Sequence, residues 1–193
     1  MEKSNNYAVL ILAAGTSSRL GQAKQLVLYE NQTLLENACK KALEISSNVF
    51  VVLGASKNEC TEKIKDLQVN IIINNEYKKG LSSSIRIGMK ELLEYDKVLI
   101  MLCDQPFIPK NHFQKLLQNS INNSKIICSL YNKRLSVPAV FPKHYFTELL
   151  CLSGDKGAKK IIETNEHVSI NLENIHSFDI DTKEDLIKLN SEL

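Results

Sequence analysis

The stretch LAAGTSSRLGQAKQL, residues 12–26, concentrates two glycines, three hydroxyl residues and two cations in one short segment. Gly15 and Gly21 allow sharp turns that bring backbone N–H groups close to an anion. Thr16, Ser17 and Ser18 add further donors. Arg19 offers a rigid fork for two phosphate oxygens, and Lys24 a mobile point charge. The chemistry such a loop suits is capture of a polyphosphate, although an ordinary solvated loop has a similar composition. Neither G-x-G-x-x-G nor G-x-x-x-x-G-K-[ST] is present, so neither a dinucleotide fingerprint nor a P-loop is indicated.

Carboxylates are the second ingredient. Asp104 follows the apolar run Val98–Cys103, where a sheet's carboxyl edge would present a ligand-binding acid. A turn or N-cap role before Pro106 is equally open to it. DIDTKEDL (179–186) supplies Asp179 and Asp181, with Asp181 the stronger candidate. Asp181 or Thr182 could instead cap a closing helix whose dipole Glu184 and Asp185 complement. Ser82, Ser83 and Ser84 lie at a helix start after Gly80, suited to capping or to anion contact. One turn on is Arg86, one of only three arginines with Arg19 and Arg134. Gly88 within that helix costs up to about 1 kcal/mol relative to Ala, which marks close packing or ligand approach. His112, His144, His167 and His176 sit in unremarkable contexts, and Cys103 reads as an inert buried thiol.

The elements that must position these residues alternate between short β-rich runs and helical periods. Strands are expected at 7–13, 49–53, 69–73, 97–103, 125–130, 137–141, 167–171 and 176–180. Helices are expected over 33–46, 58–67, 81–94, 110–120, 143–150, 155–164 and 183–192, the first opened by a Thr33–Glu36 capping box. Strand–helix alternation with short connections predicts an α/β fold: a Rossmann-like, doubly wound, mostly parallel sheet flanked by helices. Its ligands belong at the carboxyl ends of the strands, which places Ala14–Lys24 and Asp104–Pro106 at the site. No Gly/Ser/Pro-rich linker divides the 193 residues, so 1–193 reads as one domain, with halves at 1–124 and 125–193.

Composition limits the partners. With 44% hydrophobic and 24% charged residues the chain can build a core, and disordered or collagen-like classes are excluded. A net charge of +2 argues against a nucleic-acid-binding surface, so an anionic partner must be held by a few placed cations. The longest apolar run, Tyr7–Ala14, is too short to span a bilayer, and no membrane partner is expected. Five cysteines without a C-x-x-C predict reduced thiols, no zinc site and a cytoplasmic location.

The first loop resembles the signature L-A-x-G-x-S-x-R-x-G-x-x-K of nucleotidyltransferases that activate a phosphorylated acceptor with a nucleoside triphosphate. The resemblance continues in order through NNEYKKGLSSSIRIGM (74–89), LCDQPF (102–107), VPAVF (137–141), GDKGAKKII (154–162) and DIDTKEDL. It is greatest to the branch containing the molybdenum-cofactor cytidylyltransferases, of the nucleotide-diphospho-sugar transferase fold. The resemblance implies a Mg²⁺-dependent reaction in which Lys24, Arg19 and Asp104 are catalytic. It implies nucleotide binding by Leu12, Ala13, Ala14, Gly15, Arg19, Lys24, Ser84 and Asp104, with Asp104 and Asp181 as metal ligands. Acceptor binding would fall to Ser82, Ser83, Arg86, Pro138 and Asp155.

Ala at position 14 favours CTP, because guanine users in the family tend to have Gly there. One methyl is worth only about 1–3 kcal/mol of discrimination. Lys183 stands where the family usually has Pro, and Ser136–Val137 precede Pro138 where Gly-His is frequent. The implied acceptor is molybdopterin, with transient docking to a molybdoenzyme for hand-over. Alternatives are a sugar or alcohol phosphate acceptor, a GTP-using guanylyltransferase, or a non-catalytic nucleotide-binding maturation factor. An NAD-dependent oxidoreductase would share the α/β pattern but lacks its glycine fingerprint.

Overall fold

The computed structural model describes residues 6–154, 157–173, 178–182 and 184–187. The first strand, β1 (Tyr7–Ala13), is buried from Ala8 onward and lies in the interior of a seven-stranded sheet. A small antiparallel hairpin, β2 (Leu28–Tyr29) and β3 (Gln32–Thr33), leads into α1 (Leu34–Leu43). Thr33 Oγ1 accepts from the Glu36 N–H while the Glu36 carboxylate accepts from the Thr33 N–H, completing the anticipated capping box. Then follow β4 (Val49–Leu53), α2 (Lys57–Ile64), β5 (Asn70–Ile73), α3 (Leu81–Lys90), β6 (Lys97–Leu102) and α4 (Lys110–Ser120). The second half adds β7 (Ile126–Tyr131), β8 (Arg134–Pro142), α5 (Phe146–Leu150), α6 (Lys159–Thr164) and β9 (His167–Asn171).

The sheet order is β5-β4-β1-β6-β8-β7-β9. β1 pairs in parallel with both β4 and β6, so Leu12 lies opposite Val52 on one side and Leu102 on the other. Only β8 runs antiparallel to its neighbours in this sheet. The mostly parallel, helix-flanked α/β architecture expected from the sequence is therefore the one observed.

Period-two alternation along β1 sends its side chains into two separate cores. Val9 and Ile11 pack on one face with Leu35, Ala38, Phe113 and Leu116 from α1 and α4. Leu10 and Leu12 pack on the other with Ile85, Met89 and Leu149 from α3 and α5. Gly88 explains how α3 lies so close to the sheet: a Cβ there would fall 2.6 Å from Leu10 Cδ1.

Several element limits differ from the sequence expectation. α2 stops at Ile64, α3 at Lys90, and α6 begins only at Lys159. Residues 178–180 are not a strand; 176 and 177 lie outside the described residues. Here Ile180 donates its N–H to the Asp104 carbonyl, and Phe178 and Ile180 pack into a third apolar cluster with Leu20, Val27 and Leu34. Of the expected closing helix, 184–187 are helical and 183 and 188–192 lie outside the described residues. Among the described residues no helix is long and apolar enough to cross a membrane.

Candidate functional site

All strands of the parallel half deliver their carboxyl ends to one edge, and there the β1 loop, the start of α3 and the end of β6 enclose a cleft of about 740 Å³. Leu12, Ala13, Ala14, Gly15, Arg19, Lys24, Ser84 and Asp104 all line it. These are the residues that the sequence nominated for a nucleotide.

The loop is held from beneath by a residue that the sequence analysis missed. Gln25 is 1% exposed, and its Nε2 donates to the carbonyls of Ala13 and Gly15, each at 2.8 Å. Ser17 Oγ accepts from the Lys24 N–H at 3.0 Å, which closes the turn on itself. Beyond β6, the chain from Pro106 to Ile108 is fixed by Lys41, whose ammonium donates to both carbonyls. Burial pushes that ammonium below its ordinary pKa. Asp104 thus sits between a buried strand and a tethered loop.

The two segments meet at Lys24. Its Nζ donates to Asp104 Oδ2 at 2.7 Å and also to Asp181 Oδ1. Arg19, although 73% exposed, reaches the other oxygen of Asp181 at 3.3 Å. Burial opposes the charge on Lys24, but the attraction of Asp104, joined by Asp181, outweighs it and holds the ammonium well above its usual pKa. The second oxygen of Asp104 is buried with no hydrogen-bond partner among the described residues. Such an orphan invites a ligand that accepts electron pairs.

A cation of the magnesium type fits this donor set. It prefers hard oxygen ligands, one or two carboxylates being enough when phosphates and water complete the shell. Among the described residues there is no group of three or more His, Cys, Asp or Glu able to hold a metal. Asp104 and Asp181, both joined to Lys24, are two carboxylates that could share such a cation with phosphates and water.

Asp179 takes a different role. Gln105 Nε2 donates to Asp179 Oδ1 at 2.8 Å and also reaches the Tyr131 hydroxyl at 3.3 Å. Burial first, and then the neighbouring Asp104 charge, raise the Asp179 carboxyl to about 6. What separates the two acids is the cap that follows them. Thr182 Oγ1 accepts from the Asp185 N–H, while Asp185 Oδ2 accepts from the N–H groups of Thr182 and Asp181. Capping is thus done by Thr182 and Asp185, and the Asp181 side chain faces Lys24.

The other end of the cleft is uncharged apart from Lys78. Ala14 is buried at 4% exposure, against Gly54 and Tyr77. A Cβ on Gly54 would fall 2.9 Å from the Ala14 methyl and 2.8 Å from Tyr77 Cβ. Ser84, on the first turn of α3, completes this end.

Of the residues nominated for an acceptor, the four that are described do not line the cleft with the others. Ser82 donates its hydroxyl to the Gly154 carbonyl, and Arg86, one turn on, donates to the Leu152 carbonyl at 2.5 Å. Both tie α3 to the segment after α5. Ser83 is engaged inside the fold, 2.9 Å from Asn74 Nδ2. Pro138 is buried within β8, and its carbonyl accepts from Ser129 Oγ at 2.8 Å. Asp155 lies outside the described residues. Cys103 is buried at 4% exposure, and burial holds its thiol far above the ordinary thiol range, as expected of an inert group.

Known proteins resemble this chain over two thirds of its length or more. The molybdenum cofactor cytidylyltransferase of Escherichia coli is 28% identical over 180 residues, covering 92% of each chain. A probable molybdenum cofactor guanylyltransferase of Bacillus anthracis is 31% identical over 132 residues, 67% of this chain and 64% of the relative. The crystal structure of Rv0371c from Mycobacterium tuberculosis superposes with a TM-score of 0.87 at 22% identity, covering 97% of this chain and 98% of the other. A structure of Rv0371c in complex with manganese gives 0.83 at 20% identity, covering 97% and 100%. Residues 9–169 match the MobA-like NTP transferase domain. With the phosphate-binding type of loop on β1 and an acidic pair at the same sheet edge, the chain belongs to the MobA-like NTP transferase family and is a nucleotidyltransferase.

Proposed function

We propose that this nucleotidyltransferase is a Mg²⁺-dependent molybdenum cofactor cytidylyltransferase, joining the CMP moiety of CTP to the phosphate of molybdenum-loaded molybdopterin with release of pyrophosphate. The observation that carries the reading is the bridge of Lys24 between Asp104 and Asp181 beneath the glycine- and hydroxyl-rich loop. A cation that already neutralises two carboxylates sits where a triphosphate would need both a cation and a metal. Support for cytidine comes from Ala14 and from the likeness to the Escherichia coli enzyme over 92% of each chain. Ala14 lines the cleft but is buried, so its methyl would act on base choice by shaping the cleft floor beside Tyr77.

The reaction needs little covalent help from the protein. The acceptor phosphate is already an anion at neutral pH, and its oxygen attacks the α-phosphorus in line as pyrophosphate departs. A general base is therefore unnecessary, in keeping with a cleft lined, among the described residues, by no histidine. Lys24 and Arg19 would hold the triphosphate and carry the charge that develops on the leaving pyrophosphate. Backbone N–H groups of the loop, held in place by Gln25, would orient the same oxygens. Asp104 and Asp181 would hold Mg²⁺, and the chemistry the ion would supply there is Lewis-acid polarisation of the phosphate oxygens. The manganese complex of Rv0371c is a precedent on this fold for a divalent cation of similar ligand preference.

The test is pyrophosphate release from CTP, GTP, ATP and UTP, each with and without molybdenum-loaded molybdopterin, in Mg²⁺ and in EDTA. Release with CTP, dependent on both the acceptor and Mg²⁺, is the expected result. Activity with GTP alone would overturn the reading of Ala14. Nucleotide binding without turnover on this acceptor would point to another phosphorylated acceptor or to a non-catalytic factor.

A further inference from the structure

One buried polar cluster beside the cleft is not accounted for by phosphate or metal chemistry. Asn74 follows β5, is 1% exposed, and donates its backbone N–H to the Leu53 carbonyl at 2.8 Å. Its Oδ1 accepts from the Glu76 N–H at 2.9 Å. A backbone N–H can only donate, so the atom it faces must be the amide oxygen, which settles the orientation of the side chain. The NH₂ group therefore points the other way. It donates to Ser83 Oγ at 2.9 Å and to Ser84 Oγ at 3.0 Å.

Each hydroxyl then has one proton left to give. Ser83 has internal acceptors for its proton in the carbonyls of Gly80, at 2.8 Å, and Glu76, at 3.1 Å. Ser84 has no acceptor for its proton among the described residues, and it lines the cleft. The charged end of that cleft, Arg19, Lys24 and Asp104, suits phosphates, which leaves the end with Ala14, Tyr77 and Ser84 for the nucleobase.

We infer that Asn74 is a positioning residue that biases base selection: by occupying one lone pair of Ser84 Oγ from behind, it leaves the hydroxyl proton to point outward, toward the base. The inference rests on the cytidine reading above. Cytosine presents two acceptors, N3 and O2, beside one donor on its pairing edge, whereas guanine presents two N–H donors beside the single acceptor O6. A hydroxyl with its proton held outward therefore matches cytosine at two positions and guanine at one. Asn74→Asp reverses the polarity: an acceptor replaces the NH₂ group, Ser84 turns its proton inward, and only its oxygen faces the ligand.

The experiment measures binding of CTP and GTP, each with Mg²⁺, by titration calorimetry on the full chain, with no acceptor needed. The variants are Asn74→Asp, Ser84→Ala and the double variant. Asn74→Asp is expected to weaken CTP about tenfold, the worth of one hydrogen bond, and to narrow the CTP-to-GTP ratio by at least that factor. In the Ser84→Ala background the same substitution should change neither quantity, because the group through which it acts is gone. A merely structural Asn74, or an electrostatic effect of the new acid, would act equally in both backgrounds. If Asn74→Asp does not fold, Asn74→Ala replaces it in the cycle, where loss of the anchoring bond must again weaken CTP only when Ser84 is present. Equal effects in both backgrounds, or an unchanged CTP-to-GTP ratio, would overturn the inference while leaving nucleotide binding intact. Failure of the wild-type protein to bind CTP, or tighter binding of GTP than of CTP, would overturn the cytidine reading, and the inference with it.

Discussion

Lys24 occupies the space between the two acids to which a metal is assigned, so replacing it should change both stability and metal response in opposite directions. Lys24→Met keeps the length of the side chain and removes the charge. Asp104 and Lys24 are each 14% exposed at the side chain, and Asp181 is 34% exposed. Removing one partner of a buried ion pair costs about 3–5 kcal/mol, and the exposure of Asp181 puts this case near about 3 kcal/mol. For a domain of this size each kcal/mol lowers Tm by about 2–4 °C, so the metal-free variant should melt about 6–12 °C below wild type. The freed carboxylates should then bind a divalent cation without nucleotide. A site with a dissociation constant near 0.1 mM gains about 2.7 kcal/mol at 10 mM Mg²⁺, which would recover most of the loss. Wild type, with its own ammonium in place, should gain far less. Thermal unfolding with EDTA, Mg²⁺ or Mn²⁺ measures both effects. A variant that gains no more from Mg²⁺ than wild type would refute the placement of the metal between Asp104 and Asp181.

Three further outcomes follow from named contacts. Asp104→Asn should lower pyrophosphate release at least about a hundredfold and Asp181→Asn about tenfold, because the first acid is the more buried and carries the orphaned oxygen; charge-assisted contacts are worth about 1.5–3 kcal/mol. Gly88→Ala places a Cβ 2.6 Å from Leu10 Cδ1, so it should destabilise by about 1–3 kcal/mol in denaturant titrations while leaving the CTP dissociation constant within about twofold. Asp179, raised to about 6 from 3.8 by burial and then by Asp104, binds more protons folded than unfolded between those two values. Its contribution to stability therefore falls as pH rises from about 4 to 6 and stays unfavourable above. Asp179→Asn should stabilise the metal-free protein by up to about 2 kcal/mol at pH 7 and by almost nothing at pH 4; a pH-independent difference would contradict the assignment.

How much of this was legible in the chain depended on whether a residue's role is set locally. The β1 loop could be read because glycines, hydroxyls and cations are adjacent, and Asp104 because it ends an apolar run. The helix start at Thr33 was legible for the same reason, its partner Glu36 lying three residues on. The hairpin of β2 and β3 was not. Its turn, Glu30–Asn31, has φ of 51° and 62°, yet offers one asparagine and no glycine to announce a left-handed pair. Ser82 and Arg86 looked like ligand groups because they follow a glycine, but their acceptors are carbonyls some seventy residues away, and no spacing rule reaches so far. Gln25 and Asn74 were invisible for a related reason. A side-chain amide is defined by what it is folded against, and both are satisfied by groups that only the tertiary structure brings near.

The same distinction separates the two halves of the recognition problem. Phosphate and metal binding need charge near an edge, which a few cations and acids deliver even when one of them, Arg19, is largely exposed. Base choice needs a fixed direction for a single proton, and direction requires burial. On the proposed reading, the charged end of the cleft is built from a loop and the side chains of Arg19, Lys24 and Asp104, while the end assigned to the base stands on the tightly packed Ala14, Gly54 and Asn74. A Gly54→Ala substitution puts this to the proof, since its new methyl lies 2.5 Å from the Ala14 carbonyl and 2.8 Å from Tyr77 Cβ. It should weaken CTP binding by displacing Tyr77 and the β1 end together, and the loss should be larger for the whole nucleotide than for inorganic triphosphate, which touches only the charged end. Equal losses for the two ligands would mean that base and phosphates are not read by separate ends of the cleft.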